Sequence, residues 1–485
     1  MKALALLLIL VFLPLSALGE ESEGFNGSSP KEVPADEVLE KLASGKPAIY
    51  SGKLIIGDLD LYEISFENES RVAKSTLKIT DSEIIGKINF KDLVFLEPVS
   101  FEGTIFHEAA IFTNANFSQD ASFNKAKFEK DAQFGFAQFL GMAEFEDAVF
   151  GHRALFNYVQ FHKKANFGNA KINEGTLSNA VFGDWGIFNE AEFQGTANFY
   201  HVSFNSSAIF QESKFLKKAI FDETTFTGSG NIKIPYSIRF LEANFNDDAS
   251  FFNTTFIRDA TFRDSRFLEE ADFGKSKFLD TIDFNDTSFR GDASFWDTQF
   301  LGSIYLHGSK FSRLIVRWEN ISKHLIFGEV LYLSLIDNFK KLGRTGDAND
   351  CYYEYMIKKP KDTGIWPRFV DFVKWLSCGY GVRPIRTVIV CVGVIILFGS
   401  LFWIGRGLNR SEESMQNASK IAGFWRWTRS VYPLRCVYFS TTTFIGGKSD
   451  VSPLGDYKYL ATVERTLGWL FFGLFLATLT RTLLG

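Results

Sequence analysis

The sequence predicts a mixed chain: an N-terminal all-β solenoid, a short αα-hairpin, and a C-terminal α-helical domain that spans a membrane twice around a re-entrant loop. Three observations carry this. From Ile79 to Phe311 a large apolar residue, nearly always Phe, recurs every five or six positions. Between Glu329 and Pro360 two helix-like stretches flank the turn Gly343-Arg344-Thr345-Gly346. Near the C-terminus two apolar runs, Thr387–Gly405 and Thr466–Thr480, are each bounded by arginines and enclose Cys436–Gly455, a stretch rich in hydroxyls and glycine.

A chain of 485 residues holds more than one domain. Its charge is unevenly placed. Phe90–Phe311 carries 30 acidic and 20 basic side chains and Ser312–Gly485 carries 13 and 23, so the basic half lies beside the apolar runs. Lys and Arg there meet anionic headgroups, and no nucleic acid is needed to explain them. Cys351, Cys378, Cys391 and Cys436 form no CxxC pair and read as small apolar residues. No HExxH, GxSxG or Walker pattern is present, and the six histidines are scattered. The sequence therefore points to no enzyme, no cofactor and no metal site.

In chain order, residues 1–19 read as a signal peptide. Lys2 is the charged end, Ala3–Pro14 the apolar core and Ala17-Leu18-Gly19 the cleavage site, which places the next domain outside the cytoplasm. Residues 20–78 are read as an N-terminal helix with opening strands. Asp36 is expected to cap a helix ended by Gly45, and Ile55–Leu61 to form one strand. The helix is expected to cover the first open edge of the solenoid. Sequons at Asn26, Asn68, Asn116, Asn205, Asn253, Asn285 and Asn320 lean towards an exported domain, although Asn409 and Asn417 in the later loop are sequons too.

Residues 79–311 form the solenoid. Steps of five and six put successive Phe on nearly opposite faces of a helix, and a five-residue step flips the face of a straight strand. All can face one core only if the chain turns a corner between them. A small residue commonly sits two before each Phe, as Ala110, Ala121, Ala132 and Ala143 do, so both point inward together. Units such as Ala115-Asn116-Phe117 and Ala126-Lys127-Phe128 resemble the pentapeptide-repeat family. That resemblance implies a right-handed, four-sided β-helix. With sides of five and six residues a coil closes in about 22, giving six or so coils before the break at Gly228-Ser229-Gly230 and three after it. Some members of that family mimic DNA through acidic surfaces; the acidic ladder permits this and the export signal argues against it.

Residues 312–386 hold the hairpin and a linker. The first helix is expected over Glu329–Leu342, and Asp347 is expected to cap a second over Ala348–Lys358. Together they should cover the solenoid's far end. Trp366–Arg386 is aromatic and basic and reads as a segment lying on headgroups, with Gly379-Tyr380-Gly381 as a turn. Trp375–Pro384 resembles the linker of pentapeptide-repeat channel-like proteins.

Residues 387–485 form the membrane domain. Tyr438-Phe439-Ser440, Thr443-Phe444, Gly446-Gly447, Asp450 and Pro453 resemble the pore of two-transmembrane potassium-channel-like proteins. Glu464, Gly468 and Ala477–Arg481 are similar to that family's inner helix. The resemblance implies a homotetramer around an ion path, with Thr441, Thr442, Thr443, Gly446, Gly447, Lys448 and Asp450 lining its narrow part and Phe471–Thr480 the rest. Where the family has Gly-Tyr-Gly-Asp this chain has Gly447-Lys448-Ser449-Asp450, and a lysine beside the path opposes cations. The same resemblance would open the loop to the outside, whereas an exported solenoid followed by one crossing puts it inside. The sequence thus supports a multi-pass cell-membrane protein that conducts ions, or a membrane-anchored adhesive protein whose solenoid meets a cell-surface partner.

Overall fold

The computed structural model describes residues 31–62, 71–228, 237–361, 364–409, 424–449 and 451–484. The expected signal peptide, Met1–Gly19, lies outside them.

The chain winds into a four-sided β-solenoid. One side is a parallel ladder of 12 short strands running from Ala48–Ser51 to Ile304–Tyr305, which sets the number of turns at about 12. Its register advances by the predicted period: Val99 pairs with Ala121, Ala121 with Ala143 and Ala143 with Ala165. The expected nine or so coils fall short for a physical reason. The first coils carry aliphatic residues where later ones carry Phe, with Val33 paired to Ile55, Ile55 to Ile84 and Leu59 to Ile88. Stacking is therefore already in place at Lys31–Pro34, ahead of Ile79. Ile172, paired with Phe150 and Phe193, and the buried Leu177 substitute in the same way further on. The break at Gly228 does not interrupt the stack, because Ala208 pairs directly with Ile238 and Thr225 with Thr255.

Two kinds of corner produce the alternation of five and six. In each five-residue step the amide three residues after a Phe donates to that Phe carbonyl, as Ala115 does to Phe112 at 3.0 Å and Ala126 to Phe123 at 3.0 Å. The third residue of that turn has positive φ, as at Asn114, Lys125, Phe136 and Asp147. The turn thus has the positive φ that a type II turn requires at this position. The six-residue step turns its corner without a left-handed residue and needs one residue more.

Inside, the Phe rings stack coil on coil and meet edge-on across the core. Phe106 and Phe128 lie 4.5 Å apart at 6°, Phe134 and Phe156 4.8 Å apart at 1°, while Phe123 meets Phe134 at 84°. Offset-stacked and T-shaped pairs are the favoured aromatic geometries. Where Ser or Thr replaces the small Ala, its hydroxyl donates to the Phe carbonyl of the preceding coil, as Thr287 does to Phe262 and Thr298 to Phe273, each at 2.7 Å. The buried hydroxyls are thereby satisfied.

Helices cover both ends. α1 (Ala35–Ala43) buries Val38, Leu39 and Leu42 in the solenoid core. Its N-cap is Pro34, not Asp36, which sits in the first turn where its charge opposes the positive helix end. The single strand expected over Ile55–Leu61 is two, Lys53–Ile56 and Leu59–Asp60, because Gly57 turns a corner at φ +108°. At the far end α2 (Trp318–Ile321), α3 (Glu329–Lys341) and α4 (Thr345–Lys358) add Trp318, Tyr332, Leu335, Phe339 and Cys351 to the same core. Burial pushes the Cys351 thiol up, which keeps it protonated and inert. Asp347 lies within the first turn of α4, whose N-cap is Arg344.

The last coil ends on an open strand edge, and Asn338 of α3 closes it. Its Oδ1 accepts from the Leu314 amide and its Nδ2 donates to the Leu314 carbonyl, both at 2.9 Å, so a side-chain amide stands where the next strand would be. Asn338→Ala leaves both groups buried and unpaired, at about 1–3 kcal/mol each. We expect denaturant unfolding of the full chain in detergent to show a lower midpoint, with Asp337→Ala on the exposed side of α3 unchanged.

Candidate functional site in the helical module

Among the described residues four helices come after the solenoid and its cover: α5 (Ile365–Cys378), α6 (Pro384–Ile404), α7 (Phe424–Ile445) and α8 (Tyr457–Leu484). α5 keeps an apolar face exposed through Ile365, Trp366, Phe369 and Phe372. It ends on Gly379 in the left-handed conformation, the expected turn. Burial and the Asp371 carboxylate, which accepts from the Tyr380 hydroxyl at 3.2 Å, push that phenol up to about 12. α6 and α8 are long and apolar enough to cross a membrane. Both exceed the expected spans, α8 beginning at Tyr457 where Thr466 was anticipated, because Tyr457–Arg465 is helical although polar.

The packing order fixes how the helices run. Gly399 of α6 faces Val437 of α7, the Ser440 hydroxyl donates to the Ile395 carbonyl at 2.8 Å, and Val388 and Cys391 share a cavity with Phe444 and Ile445. α6 and α7 are therefore antiparallel. α7 and α8 are parallel: Ser440 is hydrogen-bonded to Glu464, Gly468 touches the Phe444 carbonyl, and Trp469 lies beside Gly446. Two successive parallel helices need a connection that runs back. At 1.5 Å per residue, Tyr457 and Trp469 lie about 18 Å apart along α8, and the chain regains that distance after Gly446. It is back at the far end of α6 by Pro453, which bridges Leu408, while the Asn409 amide donates to the Ser452 carbonyl at 2.9 Å and that of Leu454 to the Gly407 carbonyl at 2.8 Å.

The sequence-predicted residues cluster at the bottom of this excursion. Thr441 and Thr442 are half-buried in the last turns of α7, where their hydroxyls donate to the Val437 and Phe439 carbonyls at 2.8 and 2.9 Å. Thr443 is buried. Gly446 ends the helix at φ +80°, and the Gly447 amide donates to the Thr442 carbonyl at 2.8 Å. Gly446, Gly447 and Lys448 are exposed; Asp450 lies outside the described residues. Phe472 of the expected inner stretch is 55% exposed and Thr478 is buried.

Sequence reasoning missed the contact that pins α7. Glu464 is fully buried in α8, one carboxyl oxygen meets Ser440, and the other has no partner among the described residues. A lone carboxyl at the head of an apolar helical run was the available signal. Among the described residues no cluster of side chains suits a metal ion.

A family model of pentapeptide repeats in nine copies matches residues 79–127, 123–171, 156–202 and 188–232. The chain thus carries pentapeptide repeats within a β-solenoid, extended to about 12 turns and followed by a helical region with two apolar helices. No curated protein and no solved structure matches it.

A Cβ on Gly468 would overlap the Phe444 carbonyl oxygen, so α7 and α8 approach this closely only over glycine. Gly468→Val should separate them and expose Cys436, read as faster maleimide labelling of Cys436 in detergent; Gly473→Val, where nothing lies within 4 Å, should not.

Proposed function

We propose that the chain is a membrane protein that conducts ions as a homotetramer, with α6 and α8 spanning the bilayer and residues 424–456 dipping in and out on one side. The observation that carries this is the parallel run of α7 and α8 with the chain back at Leu408 by Pro453. Irregular backbone at membrane depth is tolerated only where protein buries it or where it lines water. In a single chain Gly446, Gly447 and Lys448 stay exposed, so the reading requires neighbouring copies to shelter them. Four copies would gather the glycine turns around an axis, with one lysine from each. That ring of charge disfavours potassium and favours anions.

Purified chain in planar bilayers should pass current that is anion-favouring, and Lys448→Glu should shift the reversal potential towards cation preference. Flat traces from confirmed tetramers would sink conduction. A membrane-anchored structural or adhesive role would then remain, which the covered, rigid solenoid supports equally.

The export-type segment Met1–Gly19 puts the solenoid on the extracytoplasmic side. The linker and the end of α8 meet at one end of the spans, whereas Pro453 meets Leu408 at the other, so Lys448 then opens towards the cytoplasm. In sealed cells Lys448→Cys should resist membrane-impermeant maleimide until the cells are opened. Labelling of intact cells would reverse the orientation.

A further inference from the structure

The last turn of α8 is held by the solenoid's end cover. Arg481 places its guanidinium 4.4 Å from the ring of Tyr352 on α4 and donates to the Tyr380 carbonyl at 3.5 Å. Gly381, at φ +80°, leaves room for it: a Cβ there would lie 3.3 Å from the guanidinium. Beside it Arg383 pairs with Asp350 of α4 at 2.7 Å. The guanidinium groups of Arg383 and Arg386 lie 4.9 and 5.1 Å from the ring of Tyr353, whose hydroxyl accepts from the Trp375 indole at 3.2 Å. The base of α6, the end of α5 and the end of α8 thus all close on α4. α4 itself is fixed, because Cys351 and Tyr355 belong to the solenoid core and Tyr352 packs against it. Cation–π contacts are directional and short-ranged, so they hold a position and not merely a proximity.

We propose that this cluster is a coupling joint: the position of the solenoid's end cover sets the position of the last turn of α8. A ligand or load on the solenoid would reach the membrane module here. Its consequence for ion flow rests on the conducting role proposed above; the joint itself does not.

The test is hydrogen exchange of the full chain in lipid nanodiscs, read on residues 478–484. Arg481→Ala and Tyr352→Leu should each speed exchange there roughly fivefold, and the two together no more than the larger alone. Tyr352→Trp, which keeps an aromatic face, should restore the slow rate; Arg465→Ala, exposed near the other end of α8, should leave it unchanged. Transmission is read with Asn338→Ala, which loosens the cover from the last coil. It should speed exchange at 478–484 in the wild-type background and add nothing in Arg481→Ala. Faster exchange confined to residues 329–341 would overturn the proposal, as would additive single effects. A silent bilayer counts against conduction alone, since no current enters this measurement.

Discussion

Coil-on-coil stacking of the inward side chains is the constraint on which the structure depends. Each coil must return to the same place one period later, because only then do the Phe rings stack and the short strands pair. A strand of two residues makes too few hydrogen bonds to stand alone. It persists because its neighbours above and below carry the same register, as in any stack of repeats. Burying each Phe is worth roughly 1.5–3 kcal/mol before the cost of ordering the chain. The two corner types are a consequence: one needs a left-handed residue and is a position shorter, the other avoids it and is a position longer, and their alternation keeps four sides equal in effect.

That constraint explains what the sequence revealed and what it concealed. The Phe beat was legible because a period of five or six fits no helix or straight strand. The coil number was not, since Val33, Ile55, Leu59 and Ile172 fill the same sites without the aromatic marker. The left-handed corners were hidden because Asp, Asn, Lys, Glu and even Phe136 and Tyr158 occupy them; the stack imposes the conformation that glycine would otherwise announce. Asn338 carried no signal, because pairing with Leu314 is a tertiary fact about where the last edge lies. In the helical module the two apolar runs and the Thr- and Gly-rich stretch between them were readable. Which residues of α7 and α8 meet was not, since no local pattern announces the Ser440–Glu464 and Phe444–Gly468 contacts.

The two halves pack by opposite rules. The solenoid buries large rings and pairs core hydroxyls such as Thr287 and Thr298 with backbone carbonyls. The helical module buries little within one chain, and its contacts are made by small residues and a few polar groups: Gly399 against Val437, Gly468 against Phe444, Ser440 between Ile395 and Glu464. Those are the contacts that bring backbones together where lipid supplies no hydrophobic gain between helices. A module of this kind holds its helices at particular points and leaves the intervening faces exposed within one chain.

α8 shows the outcome. Near its start Tyr457 packs on Gly405 and Gly407, at mid-length Glu464 and Gly468 fix α7, and at its end Arg481 meets the cover of the solenoid. Between the middle and last of these points lies Gly473, with nothing within 4 Å, where a helix has its weakest backbone. Within one chain, glycine there serves no close approach, unlike Gly468. Glycine is the least resistant place for deformation in a helix held on both sides of it. The excursion from Gly446 to Pro453 rests on the upper pins, and the solenoid holds the lower one. Gly473 therefore lies between the contacts with α7 and the contact with the solenoid's end cover.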